Sequence, residues 1–144
     1  MKGIILYLIA ISILISSCNS SPKESSQENI QGIASESNAQ NSLDWSGTYE
    51  GILPCADCEG IKTVVKLNSD DTYHLSMEYI DRDFTYMDSG TFSWAENGNQ
   101  IKLKGSQGDE TKYFVSENKI IQLDYEGNRI TGELADMFIL EKVN

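Results

Sequence analysis

Residues 61–80 read IKTVVKLNSDDTYHLSMEYI, and the rhythm of this stretch decides the fold. In its second half Tyr73, Leu75, Met77 and Tyr79 alternate with His74, Ser76 and Glu78, the period of two of a half-buried strand. In its first half Ile61, Val65 and Leu67 are apolar while Lys62 and Lys66 face away. The polar tetrad Asn68-Ser69-Asp70-Asp71 between them has the side chains of a tight turn. The whole stretch therefore predicts a β-hairpin.

Outward from the hairpin the same rhythm repeats. A strand over 84–94 carries Tyr86, Phe92 and Trp94, and Glu96-Asn97-Gly98-Asn99 turns the chain after it. Ile101 and Leu103 mark a short strand that ends at Gly105-Ser106-Gln107-Gly108. Tyr113 and Val115 mark the next, and Ile121, Leu123 and Tyr125 another, with a turn over 124–128. The last strand is placed at 137–143, one begins near Trp45, and residues 132–135 have room for a single helical turn. Seven or eight short strands with one apolar face remove their exposed edges by closing on themselves. The expected fold is all-β, a small antiparallel up-and-down meander barrel of lipocalin-like kind, with an open sandwich second. A thioredoxin-like fold is disfavoured because no segment supplies the helices of βαβ crossovers.

The N-terminus points to export. Met1-Lys2 and an apolar run to Ile15 form a secretory signal over 1–17, shorter than a membrane-spanning helix needs. Leu14-Ile15-Ser16-Ser17-Cys18 resembles a bacterial lipobox, which implies lipid attachment at Cys18. Residues 18–42 are rich in Ser, Asn, Gln and Glu and lack aromatics, so they are expected to form a disordered tether with a reach of roughly 25–30 Å. The globular domain is placed at 43–144. The balance of 11 Lys+Arg against 22 Asp+Glu disfavours nucleic acid and anionic lipid and favours cations.

With Cys18 lipidated, two of the three cysteines remain, in LPCADCEG over 53–60. Cys55 and Cys58 admit three readings: a structural disulfide, a redox centre, or half of a soft-metal site for Cu(I) or Zn(II). Asp57 and Glu59 beside them push thiol pKa values upward, which argues against a strong thiol oxidant. Met77, Met87, Met137 and His74 are candidate supplementary ligands, although no spacing brings them to the pair. The single histidine and the absence of a Ser/His/Asp set point away from catalysis, so no catalytic residue is expected. The aromatic strands also admit a carrier of a small apolar ligand, with the cysteine pair then a structural disulfide.

The run GTYEGILPCADCEGI over 47–61 resembles the opening of the N-terminal domain of the NlpE family, copper resistance and envelope stress lipoproteins. Ser89-Gly90-Thr91-Phe92-Ser93-Trp94, Ile101-Lys102-Leu103 and Leu123-Asp124-Tyr125-Glu126-Gly127-Asn128 are similar to later strands and a turn of that family. The resemblance implies a non-catalytic lipoprotein of the outer membrane, anchored through Cys18, with Cys55 and Cys58 as the motif cysteines. It also implies a link to copper tolerance and to an envelope stress-signalling partner. Longer members carry a second β domain, which this sequence does not extend to include.

Overall fold

The computed structural model describes residues 37–143. Cys18, the signal over 1–17 and most of the expected tether lie outside them. Eight antiparallel strands close into a barrel in simple sequence order, β1-β2-β3-β4-β5-β6-β7-β8. They are β1 Gly47–Leu53, β2 Ile61–Leu67, β3 Thr72–Tyr79, β4 Thr85–Trp94, β5 Gln100–Lys104, β6 Glu110–Ser116, β7 Lys119–Gln122 and β8 Ile139–Val143. The expected up-and-down barrel is thus the observed one.

The hairpin read first pairs in full register, Ile61 with Tyr79 through Leu67 with Tyr73. Its turn works as its residues suggest. Asp71 takes a left-handed φ of 61°, and the Asn68 N–H donates to the Thr72 carbonyl at 2.9 Å. Asp and Asn tolerate that conformation better than other side chains with a Cβ. Inward-facing side chains fill the barrel, and Tyr49, Tyr73 and Tyr113 are the largest of those fully buried.

Several boundaries differ from the expectation. Tyr125 is not a strand residue: it stands 91% exposed in the turn where the Gly127 N–H donates to the Asp124 carbonyl. The final strand begins at Ile139 instead of 137, because a 3-10 helix over Ala135–Phe138 precedes it. That helix lies later than the turn expected over 132–135.

Residues at the end of the expected tether also take up structure. Asn38 caps a helical turn, α1 Ala39–Ser42, by accepting from the Asn41 N–H. Ala39 is buried, its N–H donates to Asn99 Oδ1 at 2.8 Å, and the Gln40 N–H donates to the Gly98 carbonyl at 2.9 Å. Trp45, which precedes β1 instead of opening it, packs edge-on against Phe92 and Trp94 at 5.7 and 5.4 Å. Composition misled up to residue 42 because one buried small residue and two backbone hydrogen bonds suffice to dock so short a segment. This entering segment covers the end of the barrel that carries the β2–β3, β4–β5 and β6–β7 turns. The β1–β2, β3–β4, β5–β6 and β7–β8 connections lie at the opposite end.

Candidate functional site

The Cys-x-x-Cys loop is the β1–β2 connection, at the rim away from α1. β1 stops at Leu53, where Pro54 withdraws the N–H that another ladder bond would need. Gly60 is buried where the loop re-enters β2: a Cβ there would stand 2.6 Å from Ile52 Cγ2. Between these fixed points Cys55 and Cys58 form a disulfide with their Cα atoms 5.3 Å apart.

The neighbouring β3–β4 connection holds the loop from outside. Asp81 adopts a left-handed φ of 64°. Arg82 then reaches Asp57, pairing with Oδ2 at 2.8 Å and donating to the Asp57 carbonyl at 2.6 Å. Both side chains are substantially exposed, so the pair contributes at most about 1 kcal/mol. Its main effect is positional.

Cys55, Asp57 and Cys58 bring one potential ligand atom each within 4.8 Å of one another. Cys55 Sγ lies 3.6 Å from Asp57 Oδ1, and Cys58 Sγ lies 3.3 Å from the Gly60 carbonyl oxygen. The sulfurs are half-buried while Asp57 is exposed, so the loop is accessible to solutes. The suggested supplementary ligands stay apart from it. His74 is exposed on the outer face of β3, Met87 is 75% exposed on the outer face of β4, and Met137 sits in the 3-10 helix. Met77 lines the barrel interior beside Tyr79 and Tyr86.

A second polar feature lies on the inward face of β4, beside the β5–β6 turn. Asp88 points inward from β4, accepting from the Tyr73 hydroxyl at 2.7 Å, the Ser106 hydroxyl at 2.8 Å and the Ser106 N–H at 3.2 Å. The Tyr73 hydrogen bond, then those from Ser106, hold the Asp88 carboxyl below its ordinary value. The Tyr73 hydroxyl is held above its own, by burial first and then by Asp88. Period two was the available signal for this carboxylate: residue 88 shares its face with Tyr86, Phe92 and Trp94. The Arg82 contact had no such signal.

These shifts set the acid response. Asp88, like Asp70 and Asp124, has a folded pKa lowered by hydrogen bonds, so the unfolded chain takes up protons more readily. The stability this provides is fully present above the unfolded value near 4 and is lost as pH falls through the lower folded value. Thermal melts from pH 7 to 3 are expected to show a midpoint that drops below about pH 4. Asp88→Asn should start lower at pH 7 and fall less in acid; parallel profiles would show that Asp88 carries none of the response.

Comparison with known proteins places this architecture. Residues 49–133 match the family model of the NlpE N-terminal domain. Lipoprotein NlpE of Escherichia coli K12 is 33% identical over 89 residues, which are 60% of this chain and 37% of that protein. The chain thus spans little more than a third of that relative. The crystal structure of the E. coli Cpx pathway activator NlpE matches with a TM-score of 0.53 at 30% identity, covering 60% of this chain and 46% of that one. A Shewanella oneidensis chain assigned as a lipoprotein matches with a TM-score of 0.66 at 47% identity, over 73% of this chain and 94% of that one. By the match of its strands and of the loop that carries Cys55 and Cys58, the chain belongs to the NlpE family through that family's N-terminal barrel domain.

Proposed function

We propose that this protein is a non-catalytic lipoprotein of the cell envelope, anchored in the outer membrane through Cys18, whose Cys55–Cys58 loop responds to copper or to redox state. The observation that carries the proposal is the accessible cysteine pair with the Asp57 carboxylate beside it on a braced rim loop. The donor chemistry suits one metal in one state. Disulfide sulfurs offer no thiolate, so the pair can take a soft ion only after two electrons and two protons from a thiol reductant convert it to a dithiol. Two thiolates then suit Cu(I), whereas a closed zinc site needs four ligands. Disulfide and metal-bound loop are in this way alternative states, and a change between them alters the surface presented at the rim.

The E. coli relative's description as a Cpx pathway activator supports the further reading that such a change is reported to an envelope stress-signalling protein. Replacing both Cys55 and Cys58 by serine is expected to abolish tight Cu(I) binding by the reduced protein, read by competition with a chromogenic Cu(I) chelator. Unchanged affinity would sink the metal reading. The same variant should lose about 2 kcal/mol of oxidised-state stability, the loop-entropy value for so short a closure.

A further inference from the structure

The barrel is not sealed evenly. β4 pairs with β3 from Thr85 to Thr91, but with β5 only from Thr91 to Trp94. The first half of β4 therefore diverges from the β5–β6 hairpin, and the Asp88 carboxylate pins the two together through Ser106 where the main-chain ladder has ended. Behind this divergence lies a cleft of about 260 Å³ leading into the barrel interior. Met77, Tyr79, Tyr86 and Leu103 supply its apolar and aromatic wall, and Asp88 and Asp109 supply its carboxylates.

The charge in this cleft is not neutralised from within. The donors to Asp88 are neutral hydroxyls and backbone N–H groups, and among the described residues the Lys and Arg ion pairs are made to Asp57, Glu110 and Asp44. The two carboxylates act on the same space: burial first, and then the negative charges of Asp88 and Asp109, hold the Tyr86 hydroxyl above its ordinary value. The two carboxylates repel an anion, and a neutral apolar ligand gains nothing from their charge. A cation with an apolar shell satisfies both parts of the wall, because tyrosine faces attract cations and quaternary ammonium groups in particular. The volume lies just under the roughly 300–1,000 Å³ of drug-sized sites, so the ligand must be small.

We propose that the cleft between β4 and the β5–β6 hairpin is a binding site for a small organic cation, an alkylated ammonium compound held between the rings of Tyr79 and Tyr86 and the carboxylates of Asp88 and Asp109. The cation is a free solute and not a phospholipid headgroup, since a headgroup phosphate would enter beside two carboxylates. The site is separate from the cysteine loop and does not depend on its redox state.

Three probes decide it: choline; 3,3-dimethylbutan-1-ol, which has the same shape without the charge; and phosphocholine, which adds a phosphate to the same ammonium group. Each is titrated into the protein while the Met77 methyl and Tyr86 ring resonances are followed by NMR. Choline is expected to shift both resonances and to bind at least about 10-fold more tightly than either comparison compound, the margin of a desolvated cation–π contact. Asp109→Asn is expected to weaken choline several-fold without unfolding the barrel, because Asp109 is exposed and it is its backbone carbonyl that closes the turn to Gly105. Equal binding of the neutral alcohol, equal binding of phosphocholine, or choline that leaves Met77 and Tyr86 unmoved would each overturn the assignment.

Discussion

Leu140→Ala is expected to destabilise the protein by about 2–5 kcal/mol, the range for truncating a fully buried leucine in a close-packed core. Leu140 has no solvent exposure and pairs across the ladder with Ile120, which has none either. Its position makes the upper part of the range the better expectation. β8 closes the barrel, yet its ladders are short: three residue pairs to β7 and three to β1. Side-chain packing must therefore supply much of what holds this strand. The site also has little freedom to collapse around a cavity, since β1 already approaches so closely that a Cβ at Gly51 would lie 2.6 Å from the Ile139 carbonyl oxygen. Urea denaturation checks this through a lowered midpoint at unchanged slope. A change under about 1 kcal/mol, far below the range for such truncations, would show that β8 does not close the core.

Gly90→Val carries the second large effect, by overcrowding. Gly90 sits where β4 begins to leave β5, and a Cβ there would meet the Lys104 carbonyl oxygen at 2.6 Å and Tyr73 Cε1 at 3.2 Å. The first contact is to backbone and cannot rotate away. The strands must separate, or Tyr73 must move and release Asp88. Overpacking of this kind costs about 1–3 kcal/mol, and loss of the half-buried Tyr73–Asp88 hydrogen bond adds about 1 kcal/mol. Urea denaturation should register that sum, and the Asp88 carboxyl, followed by NMR against pH, should move upward toward its ordinary value. The neighbouring Ser89→Val, on the exposed face of the same strand, is the control and should change stability by no more than about 0.5 kcal/mol. Equal effects at the two positions would remove the steric explanation.

Much of the fold was legible because it is written locally. Alternation in 72–80 needs only neighbouring residues to place Tyr73 and Leu75 inside and His74 outside, and Asp71 needs only its own side chain to favour the left-handed turn. Where local signals were weak, the reading failed. Tyr125 continues the alternation of Ile121 and Leu123, yet the turn from Asp124 to Asn128 overrides it. Asn38 to Ser42 is polar enough to read as the end of the tether, yet Asn99 and Gly98 receive it from far along the chain.

The candidate sites divide in the same way. The sequence by itself determined the strand rhythm, the turn positions, the cysteine pair and its acidic flanks, and the run that ties the chain to its family, because each is a property of contiguous residues. Tertiary structure alone decided that Arg82, 25 residues away, braces the cysteine loop, and that the loop lies at the end opposite the entering chain. It also decided that β4 parts from β5 after four paired residues and leaves Asp88 facing a cleft. Ladder register and barrel closure are settled by contacts between distant strands, and no short window of sequence contains both partners.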